Sequence, residues 1–198
     1  MRPDKPLRAD ARRNRERVLE AARAAFAADG VAVPLDEIAR RAGVGSGTVY
    51  RHFPTKEALF EAVMLDRMQQ LTDTAHAHTK DDDPTEALLT FIGYLVEEAA
   101  SKKDLIDALQ HAGADLHASL ADTADQLRRH IGRMLSRAQR AGGIRRDIAL
   151  AELMALLSGM ITGGHALASG RPRIDRVVAV VCDGLRAGAR RSDDKLVA

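Results

Sequence analysis

Apolar residues recur at three- and four-residue intervals along most of this 198-residue chain, which is the spacing of one helix face. In residues 10–28, this stripe consists of Val18, Leu19, Ala22 and Phe26. The same pattern predicts further helices over residues 34–42, 46–53, 55–79, 84–101, 103–112, 115–141, 147–168 and 173–189. No segment shows the alternation of a half-buried strand, and no internal repeat stands out. The predicted fold class is therefore all-α.

Turn-forming and capping residues mark the ends of the early helices. Pro34 suits the first turn of the second helix, and Gly43 ends that helix. Ser46 can cap the third helix with its hydroxyl, because a serine oxygen can accept a free amide hydrogen. Pro54 stops the third helix, and Thr55 can cap the fourth.

The second and third helices are short and are separated by Gly43-Val44-Gly45, which predicts a helix-turn-helix. Val49 and Phe53 lie four residues apart, so they share one helix face, which we expect to be buried. The other face then presents mainly polar residues to the outside: Ser46, Gly47, Thr48, Tyr50, Arg51 and His52.

This outer face has the chemistry needed to bind double-stranded DNA. Thr48 offers a hydroxyl and a methyl group to base edges, and Arg51 can bond guanine in a bidentate manner. Gly47 has no side chain, so the backbone can come close to the base pairs. Tyr50, His52 and Lys56 can hold phosphates, and Lys56 lies at the start of a helix, whose amides also favour phosphate.

Composition and charge agree with a DNA-binding front half. Residues 1–56 carry 12 Lys and Arg against 7 Asp and Glu, and residues 57–198 carry 18 against 21. Aromatic residues make up 3% of the chain and there is no Trp, so the core must be aliphatic. The single cysteine, Cys182, excludes an internal disulfide, and no segment approaches the ~20 apolar residues of a membrane span. We therefore expect a cytoplasmic protein without a secretory signal, membrane contact or cofactor.

The segment LDEIARRAGVGSGTVYRHFPTKEALFEAV, residues 35–63, resembles the DNA-binding signature of the TetR/AcrR family of transcriptional regulators. The detailed resemblance covers residues 12–64, and the remainder is similar in length and helical pattern. It implies that base-facing positions are Ser46, Gly47, Thr48 and Arg51, and that phosphate-facing positions are Tyr50, His52 and Lys56. The chain departs from the family at Leu35, where many members have a Thr or Ser that contacts phosphate.

The resemblance also implies a domain organisation and a mode of action. Residues 1–9 would form a flexible basic arm, residues 10–56 the DNA-binding domain, and residues 57–198 the ligand-binding and dimerisation domain, with 57–79 as a connecting helix. Family members are typically homodimers that bind palindromic operators. They usually repress, and a small molecule in the C-terminal bundle releases them from DNA.

The last two predicted helices suggest where two copies would meet. Residues 152–167 and 176–188 are apolar or small on nearly all sides, and helices of this kind are buried from both sides. A contact across a two-fold axis would cover them, whereas a monomer would have to bury them internally. The expected interface residues are Leu153, Leu157, Ile161, Val178, Val181 and Leu185.

Other residues have both a functional and a simpler structural interpretation. The basic residues Arg8, Arg12, Arg13, Arg15 and Arg17 form either a solvated face or an arm that contacts DNA. His76 and His78 are two apart on a helix, so a shared metal is disfavoured. The effector pocket should lie within residues 84–168, and its candidate residues are Phe91, Tyr94, His111, His117, Leu120 and Met160, with His165 as a further histidine. Each histidine also fits a surface or core position.

These features together predict a ligand-responsive repressor that binds a palindromic operator as a homodimer. One alternative is a constitutive DNA-binding protein without an effector, which would lack an internal pocket. Another is an all-helical enzyme, which would need paired titratable groups, and the sequence shows no such pair or nucleophile motif. A structural hairpin that touches no DNA would not explain the polar exterior of residues 46–52.

Overall fold

The computed structural model describes residues 5–100, 114–166 and 171–188. Within these ranges the chain forms eight helices: α1 (Lys5–Asp29), α2 (Leu35–Ala42), α3 (Ser46–His52), α4 (Lys56–His78), α5 (Pro84–Ala100), α6 (Ala114–Arg140), α7 (Leu150–Ala166) and α8 (Arg171–Leu185). The all-α fold class is confirmed. The helix predicted over residues 103–112 lies outside the described residues. No described helix combines the length and apolar character needed to cross a bilayer.

The ends of α2 to α4 follow local backbone chemistry, with one correction to the prediction. Gly43 ends α2 in the left-handed conformation at φ 63°, where glycine carries no steric penalty. The Thr55 hydroxyl accepts the Ala58 N–H at 3.1 Å, so the predicted cap of α4 is confirmed. The predicted Ser46 cap is wrong. Gly45 is the residue before α3, no side chain caps that helix, and Ser46 is already its first helical residue.

The chain divides into two compact units, each built from two stretches. The N-terminal unit comprises Met1–Gln69 and Lys102–Thr123, and the C-terminal unit comprises Gln70–Ser101 and Ala124–Ala198. Helices α4 and α6 therefore each contribute residues to both units.

The N-terminal unit buries the apolar stripe of α1 against α2 and α3. Its core includes the predicted stripe residues of α1 together with Ile38, Val49 and Phe53, and all of these side chains are at most 5% exposed. Arg23 of α1 also forms an ion pair with Asp66 of α4 at 2.6 Å. These contacts fix the inner face of α3 and leave its other face to the solvent.

The C-terminal unit packs α5 against α7 and α8. Beyond the helices, an antiparallel bridge between Ile144 and Arg186 joins the loop after α6 to the end of α8. Two backbone bonds of 2.9 Å form it, from the Arg145 N–H to the Leu185 carbonyl and from the Ala187 N–H to the Gly143 carbonyl. Arg186 adds an ion pair with Glu86 at the start of α5. The loop after α6, the end of α8 and the start of α5 are thereby joined at one place.

Candidate nucleic-acid interface

The turn between α2 and α3 is held by hydrogen bonds of its own backbone. The N–H groups of Gly43 and Val44 donate to the carbonyls of Arg40 and Ala39 at 3.2 and 3.1 Å. The N–H of Thr48 then donates to the carbonyl of Gly45 at 2.8 Å, which starts the next helix. This arrangement leaves only three residues between the end of α2 and the start of α3, as a helix-turn-helix requires.

Helix α3 has a buried apolar side and a solvent side. Val49 is fully buried and Phe53, the residue that follows the helix, is 3% exposed. Tyr50 is 46% exposed, Ser46, Gly47 and Arg51 are exposed, and Thr48 and His52 are half-buried. The structure therefore brings the seven predicted contact residues together on α3 and the first residue of α4: Ser46, Gly47, Thr48, Tyr50, Arg51, His52 and Lys56.

Arginines of the same unit pair with the acidic side chains near this surface. Arg40 and Arg41 both donate to Glu37 at 2.7 Å. These hydrogen bonds, that of Arg40 foremost, lower the pKa of Glu37 to about 2. Arg41 also pairs with Asp29 at 2.6 Å. Among the described residues, Arg51 and Lys56 take no part in an ion pair, so both cations can bind an outside anion.

The arginines at residues 12–17 of α1 separate into two kinds. Arg12 pairs with Glu16 at 3.5 Å and Arg13 pairs with Asp10, so both bind carboxylates of their own helix. Arg17 instead donates from Nη2 to the carbonyl oxygen of Gly43 at 3.1 Å. The Arg15 guanidinium lies 5.3 Å from the centre of the Phe53 ring. The side chain of Arg8 lies outside the described residues.

Leu35, where the chain departs from the family signature, is a core residue of the N-terminal unit. It is 8% exposed and belongs to the same apolar cluster as Ile38 and Val49. The side chain therefore packs inward, and a phosphate contact at this position would need another group.

Comparison with known proteins assigns the chain to a family. The profile described as "Bacterial regulatory proteins, tetR family" matches residues 18–63. A second, described as "Transcriptional regulator SbtR-like, C-terminal domain", matches residues 83–187, more than half of the chain. The chain belongs to the TetR family.

Individual relatives agree with this assignment. A TetR transcription regulatory protein from Mycobacterium vanbaalenii is 46% identical, with a TM-score of 0.75 over 92% of this chain and 100% of its own. The TetR regulator SCO0520 from Streptomyces coelicolor is 32% identical, with a TM-score of 0.71 over 88% of this chain and 99% of its own. The regulator SrpR from Pseudomonas putida is 29% identical over 78% of this chain and 75% of its own. This TetR-family protein is a transcriptional regulator with a DNA-binding domain, and not an enzyme.

The C-terminal unit of this TetR-family regulator contains a cavity of about 660 Å³. Its lining includes the predicted pocket residue Met160, and it also includes residues that the sequence did not single out: Val96, Ile148, Glu152, Ala155, Leu156, Gly159, Gly163, Ile174 and Val177. The signal that could have found several of them is the run of small residues at four-residue spacing on α7, Ala155, Gly159 and Gly163.

Among the described residues, the other predicted pocket residues do not line this cavity. Phe91 is buried in α5 and Tyr94 is 38% exposed on the same helix, and neither lines the cavity. Leu120 belongs to the core of the N-terminal unit. His111 and the side chains of His117 and His165 lie outside the described residues.

The six predicted interface residues fall into two groups. Leu153, Leu157 and Leu185 are at most 2% exposed and lie in the core of the C-terminal unit itself. Ile161, Val178 and Val181 are half-buried. The large apolar side chains that α7 and α8 leave exposed are instead Leu156 at 40% and Val180 at 67%.

The remaining candidates have local partners. His76 and His130 have ring centres 5.1 Å apart, whereas His78 bonds Asp81 at 2.7 Å. Burial lowers the pKa of His130 and raises the pKa of the half-buried Cys182 thiol. Within the described ranges, no group of three or more potential ligands could hold a metal ion.

Proposed function

We propose that this TetR-family regulator is a repressor that binds a palindromic operator as a homodimer and leaves it when a small molecule binds. The observation that carries the proposal is the solvent face of α3, which is polar and basic although the opposite face lies in an apolar core. DNA binding is assigned to residues 10–56. Residues 57–198 bind the effector and the second copy, and 57–79 form the connecting helix.

The assignment of DNA contacts follows the geometry of α3. Ser46, Gly47, Thr48 and Arg51 contact base edges in the major groove, where a recognition helix places its N-terminal residues. Tyr50, His52 and Lys56 contact phosphates on either side, which sets the register of the helix on the duplex. The exposure of Ser46, Gly47, Tyr50 and Arg51 and the unpaired cations of Arg51 and Lys56 among the described residues support this assignment.

Gly47 supports it independently. A Cβ atom at this position would meet no atom of the described residues within 4 Å, so packing does not require a glycine there. Glycine nevertheless weakens a helix relative to alanine. Close approach of the backbone to base pairs would require a glycine at this position, whereas packing within the free protein does not.

The two-fold contact is assigned to the outer faces of α7 and α8. Among the described residues of these helices, the exposed large apolar side chains are Val180 and Leu156, which also lines the cavity, and a second copy would bury both. The buried leucines 153, 157 and 185 then support the interface from inside the protomer, whereas Ile161, Val178 and Val181 extend it. Such a dimer places its recognition helices about 34–36 Å apart, one turn of DNA.

The cavity of the C-terminal unit supports an effector over a constitutive DNA-binding protein. Its volume of about 660 Å³ lies within the ~300–1,000 Å³ typical of small-molecule sites. The charged side chain in its lining, Glu152, accepts the Ala149 N–H at 2.7 Å, so this carboxylate oxygen already has a partner. The expected effector is therefore apolar over most of its surface.

Selection of binding sites from random DNA tests the DNA-binding part of the proposal. The expected result is a palindrome whose half-sites lie about one turn apart and whose binding weakens steeply with salt. Addition of apolar metabolites to the complex should then identify one that releases the protein. A selected site without two-fold symmetry would contradict the homodimer, and an effector that tightens binding would contradict repression by release.

A further inference from the structure

Two arginines of α1 contact the residues that flank α3, one on each side. Packing of the apolar core of the N-terminal unit does not require either contact. Arg17 binds the turn before α3, and Arg15 lies over the ring of the residue that follows α3. We propose that Arg15 and Arg17 are positioning residues for DNA recognition, which hold α3 in its binding orientation. The inference rests on the proposed role of α3 in reading the operator.

Arg17 adds a side-chain hydrogen bond to a turn that is otherwise held by hydrogen bonds of its own backbone. Its Nη2 donates to the Gly43 carbonyl at 3.1 Å, immediately beyond the C-terminal end of α2. Carbonyl groups at a helix C-terminus lack helical partners and carry partial negative charge, so a guanidinium is favourable there. Gly43 is the left-handed residue that directs the chain from α2 towards α3. A bond to its carbonyl therefore restrains the direction in which α3 leaves the turn.

Arg15 acts at the opposite end of α3. Its guanidinium carbon lies 5.3 Å from the Phe53 ring centre, within the ~6 Å range of a cation–π contact. The backbone of Phe53 is extended at φ −137°, and its N–H donates to the Val49 carbonyl at 2.8 Å. The Phe53 ring thus packs in the apolar core of the N-terminal unit and is also contacted by the Arg15 guanidinium. This contact lies where the chain passes from α3 to α4.

The neighbouring arginines show that these contacts are specific to two positions. Arg12 and Arg13 lie on the same exposed part of α1 and carry the same charge, but they pair with Glu16 and Asp10. If these arginines formed a basic arm that contacts DNA, all four would be available to phosphate in a similar way. A positioning role instead predicts that Arg15 and Arg17 contact the residues that flank α3, and that Arg12 and Arg13 do not. Arg12 and Arg13 therefore provide matched controls that remove one cation without loosening α3.

Amide hydrogen exchange on the free protein tests the proposal without DNA. Arg17→Ala should speed exchange at Val44 and Thr48, and Arg15→Ala should speed exchange at Phe53, since opening of this segment becomes easier. Arg12→Ala and Arg13→Ala should leave these amides unchanged. Unchanged exchange in both Arg15→Ala and Arg17→Ala would overturn the positioning role.

DNA binding provides the second measurement. Arg15→Ala and Arg17→Ala should each weaken operator binding by about tenfold, which equals about 1.4 kcal/mol, and should change binding to random DNA no more than Arg12→Ala does. Arg17→Lys and Arg15→Lys should partly restore affinity, because an ammonium can still donate to the carbonyl or lie over the ring. Equal losses on operator and random DNA, with a salt slope smaller by about 1, would instead show a phosphate contact and overturn the proposal.

Arg51→Ala separates failure of this inference from failure of the proposed function. If Arg51→Ala leaves operator preference intact, the assignment of α3 to base reading is wrong, and hydrogen exchange still decides whether the two arginines hold α3. If Arg51→Ala removes the preference and the Arg15 and Arg17 variants behave like Arg12→Ala, the function stands and the inference fails.

Discussion

At the residue scale, Gly43 and Gly47 lie four positions apart in different environments. Gly43 has a left-handed backbone, and a Cβ atom there would lie 2.7 Å from Nη2 of Arg17. A Cβ atom at Gly47 would meet nothing within 4 Å among the described residues. The fold requires the first glycine, whereas a partner of the protein would require the second.

The same substitution should therefore have opposite effects at these two positions. Gly47→Ala should stabilise the folded protein by about 0.5 kcal/mol, because alanine is the better helix former, and should weaken operator binding. Gly43→Ala should destabilise it by about 1 kcal/mol, because a left-handed alanine is strained. Urea unfolding measures the stabilities, and titration with operator DNA measures the affinity. A Gly47→Ala variant that binds operator at least as tightly as the wild type would contradict the role of Gly47.

Glu37 should make the stability of the helix-turn-helix depend on pH in the acid range. Its carboxylate accepts hydrogen bonds from Arg40 and Arg41, which lower its pKa from 4.5 to about 2. Because the folded-state pKa is depressed, this contribution is complete above about pH 4.5 and is lost as the pH falls towards 2.

Glu37→Gln should therefore reduce stability near neutral pH and have progressively less effect in acid. The free energy of unfolding of both proteins, measured between pH 6 and pH 2.5, checks this expectation. A difference between the two proteins that stays constant over that range would show that the ion pairs do not stabilise the fold.

At the element scale, the sequence predicted the helices and the faces of α3 because local signals agree there. The spacing of Val49 and Phe53 determines which side is buried, and Gly43 and Thr55 determine where helices end and begin. The Ser46 cap could not be predicted to a single residue. Gly45 and Ser46 both suit the position before a helix, and only the geometry of the preceding turn decides between them.

Gly143 shows a constraint that the sequence pattern did not reveal. It follows the left-handed Gly142, and a Cβ atom on it would lie 2.7 and 2.8 Å from Cγ2 and Cβ of Thr85 in α5. The residue must therefore lack a side chain because another element passes close by, and such approaches depend on tertiary packing.

Gly143→Ala should destabilise the protein by about 1–3 kcal/mol, the usual cost of forcing an extra group into a packed site. Gly159→Ala is the matched control, since a Cβ atom at Gly159 meets nothing within 4 Å in the described chain. Adding Thr85→Ala should recover part of the loss, which a double-mutant cycle by thermal unfolding would measure. Additive effects of Gly143→Ala and Thr85→Ala would contradict this contact.

At the scale of the whole molecule, the sequence indicated which helices are apolar but not how they are oriented. A helix that is apolar on nearly all sides has no single stripe, so its pattern does not distinguish inward from outward positions. For this reason the contact between two copies was predicted at Leu153 and Leu157, which are buried within one protomer, and not at Leu156, which is exposed. The cavity lining was missed for a related reason, since it combines residues of three helices and a loop.

Val180→Glu should convert the proposed dimer into a monomer. A carboxylate at this exposed position of α8 would be buried without a partner if two copies met there. Sedimentation velocity at micromolar concentration should show half the mass, helical circular dichroism should be unchanged, and operator affinity should fall. Ala121→Glu adds the same charge at an exposed site of α6 and should do none of this. A Val180→Glu protein that sediments like the wild type would contradict this interface.

The bridge between residues 143–145 and 185–187 also determines how far the protein can be shortened. A chain that stops after Asp183 lacks the Leu185 carbonyl and the Ala187 N–H, so Arg145 and Gly143 each lose a backbone partner. It also lacks Arg186 and therefore its ion pair with Glu86. A chain that stops after residue 188 keeps all three interactions. Residues 185–187 are therefore part of the folding unit, and a truncation that removes them would loosen the loop after α6, far away in sequence.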